Sequence, residues 1–321
     1  MLQFRLLRVG EHSPDFTQRS DRHPAYHFNT VAGRYVVLCL FGSARDDIAR
    51  SAIELALSNP QIFDDDFASF FGVSIDPDDQ HTGRVQGRLP GVRFFWDFDQ
   101  TISRLYGAVP LESQANQKVP LLRRWVVLNP ALQIIANIPF EADGSDRARL
   151  LGLMKSLPPV ARYGGVEMHA PVIQIPHVFE HELCDRLVTL YESLGGEESG
   201  VMQERNGKTV GVYDDTFKKR RDCDIVDPEL RRLIQERVTR RVTPWIRKAC
   251  SFEVTRMERY IVGCYDAKDG GHFRAHRDNT TRGTAHRRFA LSVNLNDDFE
   301  GGELEFPEFG VRRYKMPKGG A

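Results

Sequence analysis

Gly271-His272-Phe273-Arg274-Ala275-His276-Arg277-Asp278-Asn279 is the stretch on which the reading of this chain turns. It sets an H-x-D pair, His276 and Asp278, directly after a glycine-rich turn. As a strand, its side chains alternate with period two, so His276 and Asp278 share a face and Arg277 points away. One imidazole and one carboxylate on one face are two of the three donors of a 2-His-1-carboxylate Fe(II) site. A bare H-x-D also arises as a surface histidine beside a solvated aspartate, so the surroundings must decide.

Upstream, Arg259-Tyr260-Ile261-Val262-Gly263-Cys264-Tyr265 has strand character. Downstream, Arg288 to Asn296 alternates: Phe289, Leu291, Val293 and Leu295 take one face, and Ala290, Ser292, Asn294 and Asn296 the other. A strand apolar on one side and small or polar on the other can line a wet pocket. Gly301-Gly302-Glu303-Leu304-Glu305-Phe306-Pro307 and Met316-Pro317-Lys318-Gly319-Gly320 follow.

In this order the segments resemble the prolyl-4-hydroxylase-type Fe(II)/2-oxoglutarate dioxygenases, over 166–321. The resemblance implies an α+β double-stranded β-helix, or jelly-roll, domain. It implies His276 and Asp278 as metal ligands. Tyr265 or Tyr260 would bond 2-oxoglutarate, and Asn294 and Ser292 would face the co-substrate. The cofactor set would be Fe(II) and 2-oxoglutarate, with ascorbate as a further ligand, and dioxygen would be consumed. The substrate would be a peptidyl residue, proline among them, or a small molecule. The family's second metal histidine and the basic residue for the far carboxylate of 2-oxoglutarate follow the P-K-G strand. The sequence ends at Ala321, so the chain is expected to be truncated, and a non-catalytic binding protein is the alternative. His286, ten residues beyond His276, reads as a loop histidine. His272 is expected in a turn, Arg274 and Arg277 as surface charges, and His169, His177 and His181 at the surface.

Bulk properties narrow the class. A chain of 321 residues suggests two domains. Apolar content of 41% and charged content of 27% are ordinary for a globular protein. Lys+Arg and Asp+Glu are both 44, which argues against a nucleic-acid or membrane-surface footprint. The run from Tyr35 to Phe41 is too short to span a bilayer. The first residues, Met1-Leu2-Gln3-Phe4-Arg5, lack a signal-peptide core. Five scattered cysteines without C-x-x-C fit a reducing, cytoplasmic setting.

Residues 1–160 read as an α/β sandwich, because strands alternate with helices. Strands are expected at Tyr35–Phe41, Phe71–Pro77 and Val92–Asp97, and a hairpin about Asn129-Pro130; helices are expected at 48–57, 101–106 and 145–157. Gly10-Glu11-His12-Ser13-Pro14-Asp15-Phe16, Val36–Gly42, Gly72–Pro77 and Trp125–Pro130 resemble the thioredoxin-fold peroxiredoxins. That family carries its peroxidatic cysteine at the first helix N-terminus, where the dipole lowers thiol pKa. Here the stretch is Gly42-Ser43-Ala44-Arg45-Asp46-Asp47-Ile48-Ala49, with no cysteine. Cys39 lies earlier in the apolar strand and reads as an inert core thiol. Arg123 or Arg124 would stand where the family keeps an arginine near its thiolate, and without the thiol reads as a surface charge. Thiol peroxidase activity is therefore the least favoured alternative, and a docking or stabilising module the expected role.

Leu157 to Gly165, with paired prolines and glycines, reads as a linker. Pro171–Pro176 should be a strand and 180–194 a helix. The polar segment Ser199–Asp222 ends in Lys218-Lys219-Arg220-Arg221-Asp222; it reads as a solvated turn, with a lid over the site as the other reading. Pro228–Ala249 is apolar at helical spacing and should form one helix.

Overall fold

The computed structural model describes residues 2–114, 119–205 and 208–321. Met1, and residues 206 and 207 of the expected loop, lie outside them. The chain divides into two compact units, Met1–Ala170 with Phe306–Arg312 and Pro171–Glu305 with Arg313–Ala321.

The first unit is built on β1, Tyr35–Gly42, all eight residues of which are buried. Period two sends Tyr35, Val37, Cys39 and Phe41 into one core and Val36, Leu38 and Leu40 into another. Burial on both faces explains the unbroken apolar run. Around it stand α1 (Asp47–Leu57), β2 (Ala68–Ser74), β3 (Val92–Trp96), α2 (Thr101–Leu105), β4 (Arg124–Leu128), β5 (Ile134–Pro139) and α3 (Ser145–Ser156). The sheet order is β3-β2-β1-β4-β5. The first three strands are parallel; β4 is antiparallel to β1, and β5 to β4. Helices α1 and α3 cover one face through Ala49, Ala52, Ile53, Leu150 and Met154. Phe16, Phe28, Ile102 and Tyr106 fill the other. This is the thioredoxin-like α/β sandwich expected from the strand and helix order.

The second unit departs further from expectation. Its helices are α4 (His181–Leu194), α5 (Pro228–Arg241) and α6 (Thr243–Cys250). The single helix expected over 228–249 breaks at Val242, because Pro244 has no N–H to donate and its ring crowds the preceding turn. Strands are short: β6 (Glu197–Glu198), β7 (Val201–Arg205), β8 (Lys208–Val212), β9 (Lys218–Lys219), β10 (Arg221–Asp224), β11 (Ile261–Cys264), β12 (His272–Phe273), β13 (Leu304–Glu305) and β14 (Arg313–Tyr314). They form the three-stranded sheet β11-β10-β6 and the pairs β7–β8, β9–β12 and β13–β14. A continuous jelly roll is not present among the described residues.

Two expected strands are extended chain without a ladder. Among the described residues, the backbone of 288–296 hydrogen-bonds other backbone only at Asn294, whose N–H donates to Gly320 and whose carbonyl accepts from Gly319. Val293 and Leu295 pack on the core, whereas Phe289 and Leu291 are exposed. Residues 171–176 are held at Ile175, which exchanges both backbone bonds with Ala321. The basic run 218–222 is no solvated turn: it makes β9 and β10, and Lys218 is buried. No helix among the described residues is long and apolar enough to cross a membrane.

Gly319 shows why P-K-G ends in glycine. Its φ is +81°, its carbonyl accepts from the N–H groups of Val178 and Phe179, and a Cβ would lie 2.4 Å from the Phe179 carbonyl. Gly319→Ala should destabilise the second unit by about 1–3 kcal/mol, read from its denaturant midpoint.

Asp97, fully buried in the first unit, accepts from the N–H groups of Ile102 and Ser103, both at 2.8 Å. Burial outweighs those bonds and pushes its pKa up to about 6. A carboxyl raised on folding contributes stability below its unfolded pKa and loses it as pH rises through the folded value. Unfolding free energy of the wild type should fall by roughly 1–3 kcal/mol more between pH 4 and pH 6 than that of Asp97→Asn.

Candidate functional site

His276 and Asp278 converge. The structure places them in a turn beyond β12 rather than on a strand, and both are exposed. Three contacts set the turn: Arg274 N–H donates to the Phe217 carbonyl, Arg274 Nε donates to the Thr216 carbonyl, and the Phe273 and His276 rings stack at 3.6 Å. His276 Nδ1 lies 2.7 Å from the Arg274 carbonyl. A carbonyl only accepts, so Nδ1 carries a proton. Nε2 then faces Asp278 Oδ1 at 3.2 Å. The hydrogen bond from His276 holds the Asp278 carboxyl below its usual range. Two metal–donor bonds of about 2.1 Å at a right angle separate their donor atoms by about 3 Å. The observed gap matches that bite. A ligating histidine also ordinarily donates its other ring N–H to a carbonyl or carboxylate. The pair therefore fits two positions of a metal face. Among the described residues no group of three or more His, Cys, Asp or Glu side chains is placed to hold an ion.

Beside the pair lies a charged cluster that the sequence reading missed. Asp222, on β10, accepts from Arg220 Nε at 2.6 Å and Nη2 at 2.8 Å, from Ser199 Oγ at 2.5 Å and from Arg259 Nη2 at 3.3 Å. Burial would raise its pKa, but the bonds from Arg220 and Ser199 prevail and hold it low. Lys218 Nζ donates to Ser199 Oγ at 2.6 Å and the Gly200 carbonyl at 3.0 Å. Its ammonium also lies over the Phe273 ring, 4.7 Å from the centroid. Burial, with the Arg220 charge added, brings its pKa down to about 8. The signal in the sequence was charge spacing: Lys218, Arg220 and Asp222 alternate, as side chains on one face of an extended chain do.

The other expected site residues are dispersed. Tyr265 is near, with Arg220 Nη1 3.4 Å from its hydroxyl. Tyr260 packs against the core of the second unit under the Arg231 guanidinium. Asn294 Nδ2 donates to the Met316 carbonyl, and Ser292 is exposed. His286 pairs with Glu258, which also accepts from Arg287 at 2.8 Å. His272, expected in a turn, lies instead on β12 opposite Lys219, with its Nδ1 2.9 Å from the Gly270 carbonyl. Arg274, expected as a surface charge, instead anchors the H-x-D turn through Thr216. Arg312 Nη1 lies 3.1 Å from His169 Nδ1.

In the first unit the start of α1 carries a carboxylate. Asp46 caps the helix by accepting from Ala49 N–H at 2.9 Å and receives both Arg123 Nη atoms, Nη1 at 3.0 Å. Burial opposes its ionisation, yet the Arg123 and Ala49 bonds lower its pKa. Arg123 is thus not a free surface charge. Cys39 is wholly buried, and desolvation pushes its thiol pKa well up.

No family model matches the chain, and no curated protein matches it. Solved structures that resemble it include peroxiredoxin Q of Xanthomonas campestris, at 14% identity and a TM-score of 0.37, covering 47% of this chain and 96% of the other. Peroxidoxin BcpB of Mycobacterium tuberculosis stands at 16% and 0.40, covering 48% and 99%. AhpC of the same organism stands at 18% and 0.38, covering 48% and 94%.

Burial disfavours the thiolate of Cys39. Purified chain should consume hydrogen peroxide no faster than its Cys39→Ser variant, measured by ferrous–xylenol orange.

Proposed function

We propose that the second unit is an Fe(II)- and 2-oxoglutarate-dependent dioxygenase module of the prolyl-4-hydroxylase type, acting in the cytoplasm on a peptidyl residue or a small molecule. The first unit would serve as a redox-inactive docking module. The observation that carries the reading is the 3.2 Å approach of His276 Nε2 to Asp278 Oδ1 with Nδ1 tied to a carbonyl. With Nδ1 tied to a carbonyl, Nε2 is the ring atom left to meet the carboxylate, through an N–H or through a cation held between them. Iron bound there would supply oxidative decarboxylation of 2-oxoglutarate coupled to C–H hydroxylation. The chain's own part is to hold the two donors: Arg274 orients His276, and Phe273 supports its ring. Tyr265, whose hydroxyl lies 3.4 Å from Arg220 Nη1, would donate that hydroxyl to the co-substrate. The ordered run of motifs from Arg259 to Gly319 supports the same reading.

The alternative is a non-catalytic binding protein. What favours it is that no described residue supplies the third donor of a three-ligand face.

Metal binding and turnover separate the two readings. Co(II), added to the full chain as a spectroscopic stand-in for Fe(II), should bind one equivalent. His276→Ala and Asp278→Ala should each weaken it by at least about tenfold, within the range seen when metal shells are disturbed. Unchanged affinity in both variants would sink the metal reading. Metal binding without release of labelled carbon dioxide from 1-¹⁴C-2-oxoglutarate would favour the binding protein.

A further inference from the structure

The extended segment 288–296 has one bonded edge and one open edge. Asn294 turns its N–H and its carbonyl toward Gly320 and Gly319. Successive residues of an extended chain aim their backbone groups at opposite edges. Phe289, Leu291, Val293 and Leu295 therefore present theirs on the edge away from Gly319, where no hydrogen bond reaches them among the described residues. Such an edge is a template for another strand.

The side chains add two further features. Val293 and Leu295 pack on the core, but Phe289 and Leu291, earlier on the same face, are 42% and 41% exposed. The Phe252 ring, itself exposed, stands 5.3 Å from that of Phe289 and enlarges the uncovered patch. Charge divides the segment end from end. His286, Arg287 and Arg288 open it; Asp297, Asp298 and Glu300 close it. Arg287 is engaged by Glu258 at 2.8 Å. Arg288 is exposed, and Asp298 accepts from Asn296 at 2.8 Å while remaining exposed.

We propose that two copies of this chain associate through 288–296, paired antiparallel about a two-fold axis at Ser292. A strand basic at its start and acidic at its end complements an antiparallel copy of itself, whereas a parallel copy sets like charges side by side. The open edge allows only registers that bond odd-numbered residues to one another. About Ser292, Phe289 faces Leu295 of the second copy and Leu291 faces its Val293, each pair exchanging both backbone bonds. The uncovered apolar end of each strand thus meets the core-backed end of the other. His286 faces Asp298 of the second copy, and Arg288 has that carboxylate on its diagonal. A slip of two residues one way sets Phe289 against Asp297. A slip the other way leaves Asp297 and Asp298 opposite Ala285 and Thr284, away from the basic residues. The pairing does not rest on the metal reading.

Sedimentation equilibrium of the full chain in EDTA tests it. The weight-average mass should climb from one chain toward two with concentration. Arg288→Glu and Asp298→Arg, each present twice across the axis, should raise the dissociation constant about tenfold, and the double variant should restore it. Both positions are exposed, so the singles should keep the wild-type thermal midpoint. Residues facing each other in a pair without mutual hydrogen bonds stand about 4.5 Å apart at Cα, within disulfide reach. With the exposed Cys250 changed to serine, Ser292→Cys should therefore give a disulfide-linked dimer under oxidised glutathione. Ala290→Cys, which faces Asn294 of the second copy, should not. A mass that stays at one chain at every concentration overturns the proposal. Association untouched by Arg288→Glu and Asp298→Arg overturns this surface, and cross-linking at 290 in preference to 292 overturns the register. Because EDTA removes metal, failure here is distinct from failure of the iron reading.

Discussion

Burial of Tyr35–Gly42 on both faces is the constraint from which the first unit follows. A strand with no solvent side must have a layer above and a layer below, and the parallel neighbours on one side require helical crossovers. The crossover from β1 to β2 supplies α1, and α3, which follows β5, packs on the same face. The same constraint raises the Cys39 thiol pKa, because burial among apolar side chains disfavours its thiolate. At the start of α1, where a dipole and an arginine would favour a thiolate, Asp46 supplies a permanent negative charge. It satisfies the helix N–H of Ala49 and the Arg123 fork together. An anion site filled by its own side chain stabilises the helix start.

The second unit has no such strand, and its organisation falls to a carboxylate. Asp222 links Ser199, Arg220 and Arg259 around a sheet of only three short strands. Bonds between ionised partners are roughly twice as strong as neutral ones. Their removal from bulk water makes them position-specific, because a lost partner would leave a buried charge uncompensated. The arrangement explains two letters of Arg259-Tyr260-Ile261-Val262-Gly263 at once. The arginine contributes a bond to Asp222, and the glycine gives the Arg220 stem its path.

What was legible in the sequence divides along these lines. The first unit announced itself because hydrophobic periodicity and turn residues agree with its fold from Val36–Gly42 to the Asn129-Pro130 hairpin, although the strand expected at Phe71–Pro77 runs from Ala68 to Ser74 and Pro77 opens a short helix. The break at Val242 was legible too, since Pro244 sits two residues on, but helical spacing on both sides of it masked the stop. Residues 288–296 mislead for a different reason. Alternation predicts a strand only if a partner strand exists, and among the described residues none pairs with Phe289 or Leu291. The basic run misled most. Lys and Arg are ordinarily solvated, and the alternation of Lys218, Arg220 and Asp222 does not announce that the distant Ser199 will join them or that Lys218 will be buried.

The H-x-D pair shows how little of a site lies in its spacing. The expected reason for convergence was strand alternation, yet the residues lie in a turn. What brings them together is Arg274, whose backbone and side chain both bind the 216–217 segment and whose carbonyl then takes the His276 Nδ1 proton. The tautomer follows from that one acceptor. Given the tautomer, Nε2 opposite a carboxylate is a favourable arrangement only with positive charge between them. The chemistry of the pair is thus set by a carbonyl two residues upstream, a group that every residue possesses and no motif records.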